Sequence, residues 1–556
     1  MRYRRHQSVY LAAALAALLL PVALLAFQER VVSGQEPATP TSPSRFISEL
    51  IIEGVARPTD FAFAPDGRIF VTTLLGSVVI FKDGELLPTP FIELPVSALT
   101  ERGLMSLALD PRFETNGYVY LYYTYETDLS DERGPKTNRL VRFTANGDVA
   151  LPESEFVLLG TVVGEPSRPS CSDFPAGADC LPADGTSHIG GALRFSSDGK
   201  LFVGTGDASF EADNIDEMLQ LPQDLDSLAG KLLRINPDGS APPDNPFYTG
   251  DPTANRSKVW SFGLRQPFRM GLQPDTDLPF IGDVGSTLWE EINVGFPGAN
   301  FGWPCYEGDA QNPDLSGSEF CQDFFANETP VAQPLYAYWR FGEAASVTAG
   351  VFYQGDHYPA EFRNAFFFGD WGFASVSVLK VDDDNNLIAG STKVILSDAG
   401  RPIDFEVGPD GDIYYLTSGG EIRHIRYAEA TSTSDASGAD TPGTNASDSN
   451  AGMVVSIAAV RCASVSRWAM RLRMRDIGSR RTPPSVGATG AGFAAASARG
   501  AGWGVLLATT GAADSGVTAA AGSGAGAAAA SRASRSRSMR RARMSCLMSR
   551  PPRPVP

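Results

Sequence analysis

The chain has 556 residues, 43% of them hydrophobic, with six cysteines and a formal net charge of −18. That charge is split: residues 451–556 hold sixteen Arg and two Asp with neither Lys nor Glu, a net of +14, so the first 450 residues carry −32. A body this acidic repels phosphates and excludes nucleic acid as a partner; it suits cation binding or a heavily solvated surface.

In chain order, residues 1–34 read as an export signal. Arg2, Arg4 and Arg5 precede an apolar run from Val9 to Phe27, and small residues follow at Val32-Ser33-Gly34. The run is long for a signal and is interrupted by Pro21, so a retained membrane anchor is the alternative. Either reading places the body outside the cytoplasm, extracellular or periplasmic. Residues 35–45 form a linker. From residue 46 to 427 one pattern recurs: an alternating apolar stretch, a turn of Asp-Gly or Asn-Gly type, and a second β-rich stretch. Copies begin at Asp60, Ser106, Ala192, Met270, Gly350 and Asp404, the fourth and fifth more degenerate than the others. Alternation on both sides of such a turn is a hairpin signal, because Asn, Asp and Gly accept the positive φ a tight turn needs. Six copies predict an all-β, six-bladed propeller with long loop insertions, closed by a strand near Ile47–Ile52 against the last blade. A short helical excursion is expected within 214–230.

Cys171 with Cys180 and Cys305 with Cys321 each bracket a loop and fit local disulfides in an exported protein. There is no CxxC and no Cys/His ligand spacing, so no zinc site is expected. Residues 428–450 are a Ser/Thr/Asp-rich linker, and the Ala/Gly/Arg/Ser-rich remainder reads as disordered. Its Arg-only basicity is what a frameshifted reading of GC-rich DNA produces; a basic interaction tail is the alternative.

Three blocks carry chemistry. His188 stands in Asp184-Gly-Thr-Ser-His-Ile-Gly-Gly191, at a loop-to-strand junction, and Asp207 ends the next strand of the same hairpin. The carboxylate can orient and charge-stabilise the imidazole, with a structural histidine as the equal alternative. Arg265 follows a strand in Trp260–Phe268 and can hold an anionic group or polarise a carbonyl. The stretch from Gly282 to Gly308 combines Gly-rich turns with Asp283, Glu290 and Glu291, hard oxygen donors that suit Ca²⁺ better than a transition metal.

Taken together, HIGG…GTGD, GLRQP, GDVG…EEIN…GANFGWP, GLMSLALDPRF and LAGKLLRINPDG resemble the soluble quinoprotein glucose dehydrogenases and the wider glucose/sorbosone dehydrogenase family, over residues 46–427. The resemblance implies oxidation of the C1 hydroxyl of an aldose by pyrroloquinoline quinone (PQQ), with an external electron acceptor. It implies His188 as general base, Asp207 as its support and Arg265 at the quinone oxygen. It further implies a Ca²⁺ on the carbonyls of Gly285 and Ser286, and a second, structural Ca²⁺ at Glu291 and the Phe301 carbonyl. Cofactor contacts fall on Glu101, Arg265, Gln266 and Gln354. Here the chain departs from the family pattern: Glu101 replaces a Gln, Gln266 an Asn and Gln354 a Lys, and Gly369–Val376 contains no Arg. Arg102 and Arg340 are the cations available to compensate. Two alternatives follow, a Ca²⁺-stabilised binding propeller that has lost the quinone and a Ca²⁺-dependent lactonase-type hydrolase. The hydrolase needs acids and Asn converging on the axis.

Overall fold

The computed structural model describes residues 45–126, 130–162, 170–340 and 345–428, all within the first of two compact units, Met1–Ala439. The expected export segment, nearly all of the 35–45 linker and the tail beyond Ala428 lie outside the described residues. Among the described residues no helix is long and apolar enough to cross a membrane.

Each predicted hairpin opens an antiparallel blade. The innermost strands are Pro58–Phe63, Leu104–Leu109, Gly190–Phe195, Pro267–Leu272, Val347–Phe352 and Pro402–Val407, in blades 1 to 6. They pack side by side in a closed ring, blade 6 against blade 1. The ring is fastened by the strand Phe46–Ile52, which becomes the outermost strand of blade 6. It pairs from Phe46 opposite Tyr427 to Ile52 opposite Ile422, so blade 6 takes its fourth strand from the segment that precedes blade 1. The apolar face of each blade is buried between its neighbours; Phe61, Phe70, Val203, Phe280 and Phe367 are fully enclosed.

The ring's centre is ionic. Arg269 of blade 4 reaches across to Asp404 of blade 6 at 3.4 Å and donates to the Met105 carbonyl of blade 2 at 3.1 Å. Arg194 of blade 3 meets Glu406 at 2.9 Å and Asp404 at 3.4 Å. Asp60 of blade 1 accepts from the Ser106 hydroxyl and from the Leu107 N–H of blade 2. Five of the six blades are therefore tied through side chains on the axis.

Elsewhere the excursion within 214–230 is a single helical turn, Ile215–Met218, followed by a 3₁₀ turn, Leu221–Gln223. Blade 4 carries a long insertion containing the helix Glu319–Ala326, with Ser318 capping its first turn by accepting from the Cys321 N–H. Both expected disulfides are present, Cys171–Cys180 and Cys305–Cys321.

Candidate active site at the mouth of the propeller

The starting ends of the innermost strands converge on one face, where residues before or at the start of blades 2 to 6 line a cavity of about 440 Å³. Glu101, His188, Arg265, Ser346 and Ile403 are its contributions from those five blades. The volume lies in the range of small-molecule sites.

His188 holds a left-handed backbone, φ 62°, just before the first strand of blade 3. Its neighbours explain how that is tolerated. Its N–H donates to Glu101 Oε2 at 2.9 Å, and its carbonyl accepts from the Ala208 N–H at 3.0 Å. Gly206 lies against that carbonyl so closely that a Cβ there would sit 1.9 Å from it, so only glycine permits the fold of the loop. The imidazole Nδ1 is 3.0 Å from Asp207 Oδ1, and Nε2 is 2.8 Å from an Arg265 Nη. A guanidinium only donates, so Nε2 presents its lone pair and Nδ1 carries the proton given to Asp207. This is the tautomer a base acting through Nε2 requires.

Asp207 is fully buried, and burial alone pushes a carboxyl up. The charges of His188 and Arg265, with hydrogen bonds from His188 and the Ser209 N–H, outweigh it and hold Asp207 below the ordinary carboxylate range. Its second oxygen accepts from the indole of Trp303 at 2.8 Å. Sequence reasoning missed Trp303: GANFGWP reads as a packed turn, and nothing local marks the indole as the partner of a carboxylate 96 positions away.

Arg265 is set by its backbone and head group together. Its N–H donates to Asp283 Oδ2 at 3.1 Å and Nη1 donates to the Val284 carbonyl at 2.8 Å, while Nε is buried without a partner. Glu101 and Gln266 line the cavity as expected, but their hydrogen bonds serve the histidine loop. Gln266 donates to Glu101 at 3.2 Å and accepts from the Gly190 N–H at 2.8 Å.

Gln354 is placed differently from the expectation. It follows the finishing end of the innermost strand of blade 5, is exposed, and donates to Asn364 at 2.9 Å on the face away from the cavity. The blade-5 residues that do line the cavity are Ser346 and Thr348 at the starting end. Arg102 is also no cofactor ligand: fully buried, it donates to the carbonyls of Ala183, Asp184 and Gly185 beneath the histidine loop. Arg340 does line the cavity, and its Nη1 reaches the carbonyls of Gly285 and Ser286 at 2.5 and 3.2 Å and Glu290 at 3.1 Å. Those are the two carbonyls expected to hold Ca²⁺. Here they accept from the Arg340 guanidinium, itself paired with the buried Glu290.

The second expected cation position has a different character. Burial, then the charge of Asp283, pushes the Glu291 carboxyl up to about 8, and burial pushes Asp283 up to about 7. Asn293 donates to Glu291 at 3.0 Å, while Asn293 Oδ1 and Glu307 Oε2 are buried without partners. The other Glu307 oxygen collects the N–H groups of Ser286, Thr287, Leu288 and Trp289 at 2.8 to 3.2 Å. Crowded acids with orphaned hard oxygens fit a bound Ca²⁺. Phe301 is buried nearby in sequence, its N–H held by the Phe262 carbonyl at 2.9 Å. We expect Ca²⁺ to raise the melting temperature of the chelator-treated protein, and Glu291→Gln to abolish most of that rise in differential scanning fluorimetry. An unchanged response in the variant places the ion elsewhere.

For the hydrolase alternative, Glu101 is the one carboxylate among the described residues lining the cavity; Asp60, Asp404 and Glu406 do converge on the axis, where Asp404 and Glu406 are paired with arginines and Asp60 accepts from Ser106 and Leu107.

The family model described as Glucose / Sorbosone dehydrogenase matches residues 55–426, the entire ring except its closing strand. The chain belongs to this family. Aldose sugar dehydrogenase YliI of Escherichia coli (strain K12) is 28% identical over 399 residues, covering 69% of this chain and 94% of that protein. Quinoprotein glucose dehydrogenase B of Acinetobacter calcoaceticus is 26% identical over 318 residues, 52% of this chain and 61% of that protein. Among solved structures, the apo form of the soluble aldose sugar dehydrogenase from Escherichia coli superposes with a TM-score of 0.53 at 25% identity, over 69% of this chain and 100% of that one. Within the glucose/sorbosone dehydrogenase family, then, this member carries a His–Asp–Trp relay and two arginines at the mouth of its ring.

Proposed function

We propose that this chain is an oxidoreductase that removes hydrogen from the C1 hydroxyl of an aldose, with PQQ as its cofactor and an external acceptor taking the electrons onward. The observation that carries the reading is the base itself: His188 lines the cavity with its lone pair on Nε2, where Arg265 donates to it, its Nδ1–H fixed by Asp207 and its position by Glu101.

The residues round the cavity fit a planar polyanionic quinone in kind. Trp371 and Phe268 offer flat apolar walls, Arg265 and Arg340 offer cations, and the buried Thr348 hydroxyl has no partner of its own. When bound, PQQ supplies an electrophilic quinone that accepts the hydride. The chain supplies the proton handling and the charge. His188 Nε2 takes the hydroxyl proton as the C–H bond breaks, and Asp207 stabilises the imidazolium that results. Arg265, 2.8 Å from Nε2, stands where negative charge develops on an oxygen held against the histidine. Phe210, exposed with its ring 5.6 Å from the imidazole, provides an apolar surface on which a sugar ring can lie. No step is assigned to a Ca²⁺ on Gly285 and Ser286, because Arg340 holds those carbonyls.

The deciding experiment reconstitutes the purified protein with PQQ and follows the quinone absorbance, then adds a panel of aldoses with an artificial electron acceptor. Saturable binding with dye reduction supports the dehydrogenase. Absence of binding at tens of micromolar cofactor overturns it and leaves a Ca²⁺-stabilised binding propeller that has lost the quinone.

A further inference from the structure

Three of the chain's four histidines lie in the propeller, and His188 accounts for one. The other two meet at the opposite face. The hairpin turn after the innermost strand of blade 6 is Pro409-Asp410-Gly411-Asp412, with Gly411 at φ 82°. Asp412, its side chain buried, lies between two imidazoles: Oδ1 is 3.0 Å from His357 Nδ1 and Oδ2 is 3.0 Å from His424 Nε2. Asp410 Oδ2 is 3.7 Å from the same His424 nitrogen. His424 comes from the third strand of blade 6, and His357 from the loop between the first two strands of blade 5.

The ligand atoms of Asp410, Asp412 and His424 all fall within 4.8 Å of one another. Nitrogen and oxygen donors at ~2.0–2.1 Å from a tetrahedral ion are separated by ~3.3 Å along each edge. The separations of 3.0 and 3.7 Å bracket that edge. His357 stands on the other oxygen of Asp412 at 3.0 Å, with its side chain 57% exposed, and is the further imidazole at hand for a fourth position. A built outer shell is already present. The Tyr414 ring stacks flat on His424 at 4.4 Å and 6°, fixing the imidazole, and its hydroxyl donates to Asp410 Oδ2 at 3.0 Å.

We propose that Asp410, Asp412, His424 and His357 form a site for a divalent transition metal of the Zn²⁺ class that clamps blade 5 to the ring-closing blade 6. Two imidazoles and two carboxylates suit Zn²⁺, whereas Ca²⁺ takes oxygen donors alone. A Cys/His spacing rule misses the site because its ligands lie in two hairpin loops and a strand, 55 positions separating His357 from Asp412. The competing reading is a pair of His–Asp ion pairs without metal.

The test uses the untagged full-length protein, stripped with chelator and kept in millimolar Ca²⁺ so that oxygen-only sites are filled. Zn²⁺ is titrated calorimetrically, and Co²⁺ is added as a spectroscopic probe. One equivalent of Zn²⁺ per chain, with the strong visible bands of tetrahedral Co²⁺, is expected in the wild type. His424→Ala should weaken Zn²⁺ binding by more than the ~10–100-fold typical of an outer-shell loss, and Tyr414→Phe by an amount inside that range. His357→Ala, on an exposed loop, serves where His424→Ala fails to fold, and it should remove the tetrahedral Co²⁺ spectrum. No stoichiometric uptake by the wild type, or uptake unchanged in both histidine variants, overturns the proposal. Dehydrogenase activity is not its readout, so the two proposals fail independently.

Discussion

Replacing His188 by alanine is expected to lower kcat/KM for aldose oxidation by ~10²–10⁴-fold, the usual worth of a positioned general base, while leaving PQQ binding close to wild type. The geometry sets both halves of this expectation. Nε2 is the ring nitrogen that carries the lone pair, because Nδ1 is committed to Asp207; a substrate hydroxyl reaches that lone pair by displacing the Arg265 N–H that now donates to it. On the proposed reading the cofactor's charge would be met by Arg265 and Arg340, whose backbone anchors at Val284, Gly285 and Ser286 do not involve the imidazole. Added imidazole should restore part of the rate, as it refills the space beside Asp207. Quinone titration and steady-state dye reduction on the same preparation separate the two effects. A variant that keeps its rate moves the base to another residue; one that loses quinone binding makes His188 a cofactor ligand.

The ring was legible because its units repeat locally. Asp-Gly turns between alternating strands mark six hairpins, and each innermost strand starts within three residues of the expected position. His188 and Asp207 belong to one hairpin, so their meeting follows from strand pairing, Gly190 lying opposite Thr205. What failed to read through depended on which end of a strand a residue occupies, or on contacts between blades. Gln354 lies only eight positions beyond Ser346, yet the whole innermost strand separates them and puts them on opposite faces. Trp303 and Arg340 flank the long blade-4 insertion and return to the site from it, a path that hydrophobic patterning does not encode. Arg102 has the right charge and lies next to a cavity residue, but its side chain is spent on four backbone carbonyls.

The largest stability effect is expected on the axis. Arg269→Met should destabilise the propeller by about 3–5 kcal/mol, the range for removing one partner of a buried ion pair. Arg269 is 2% exposed and faces Asp404, itself fully buried, while Asp60 stands close enough to compete for the same charge. Burial, then the charge of Asp60, already pushes the Asp404 carboxyl well up, and burial pushes Glu406 up to about 7. Without Arg269 these acids keep Arg194 alone, and their carboxyls rise further. A carboxyl raised on folding takes up protons in the folded state, so its contribution falls as pH rises from the unfolded carboxylate range through the folded value. The penalty should therefore be smaller at pH 5 than at pH 8 in guanidinium unfolding. Replacing both partners, Arg269→Met with Asp404→Leu, should recover part of the loss, because no unpaired charge is then left at that position. A penalty that is equal at both pH values and unrelieved in the double variant would assign the cost of Arg269 to packing and to its carbonyl contacts with Thr59 and Met105, rather than to the ionic centre of the ring.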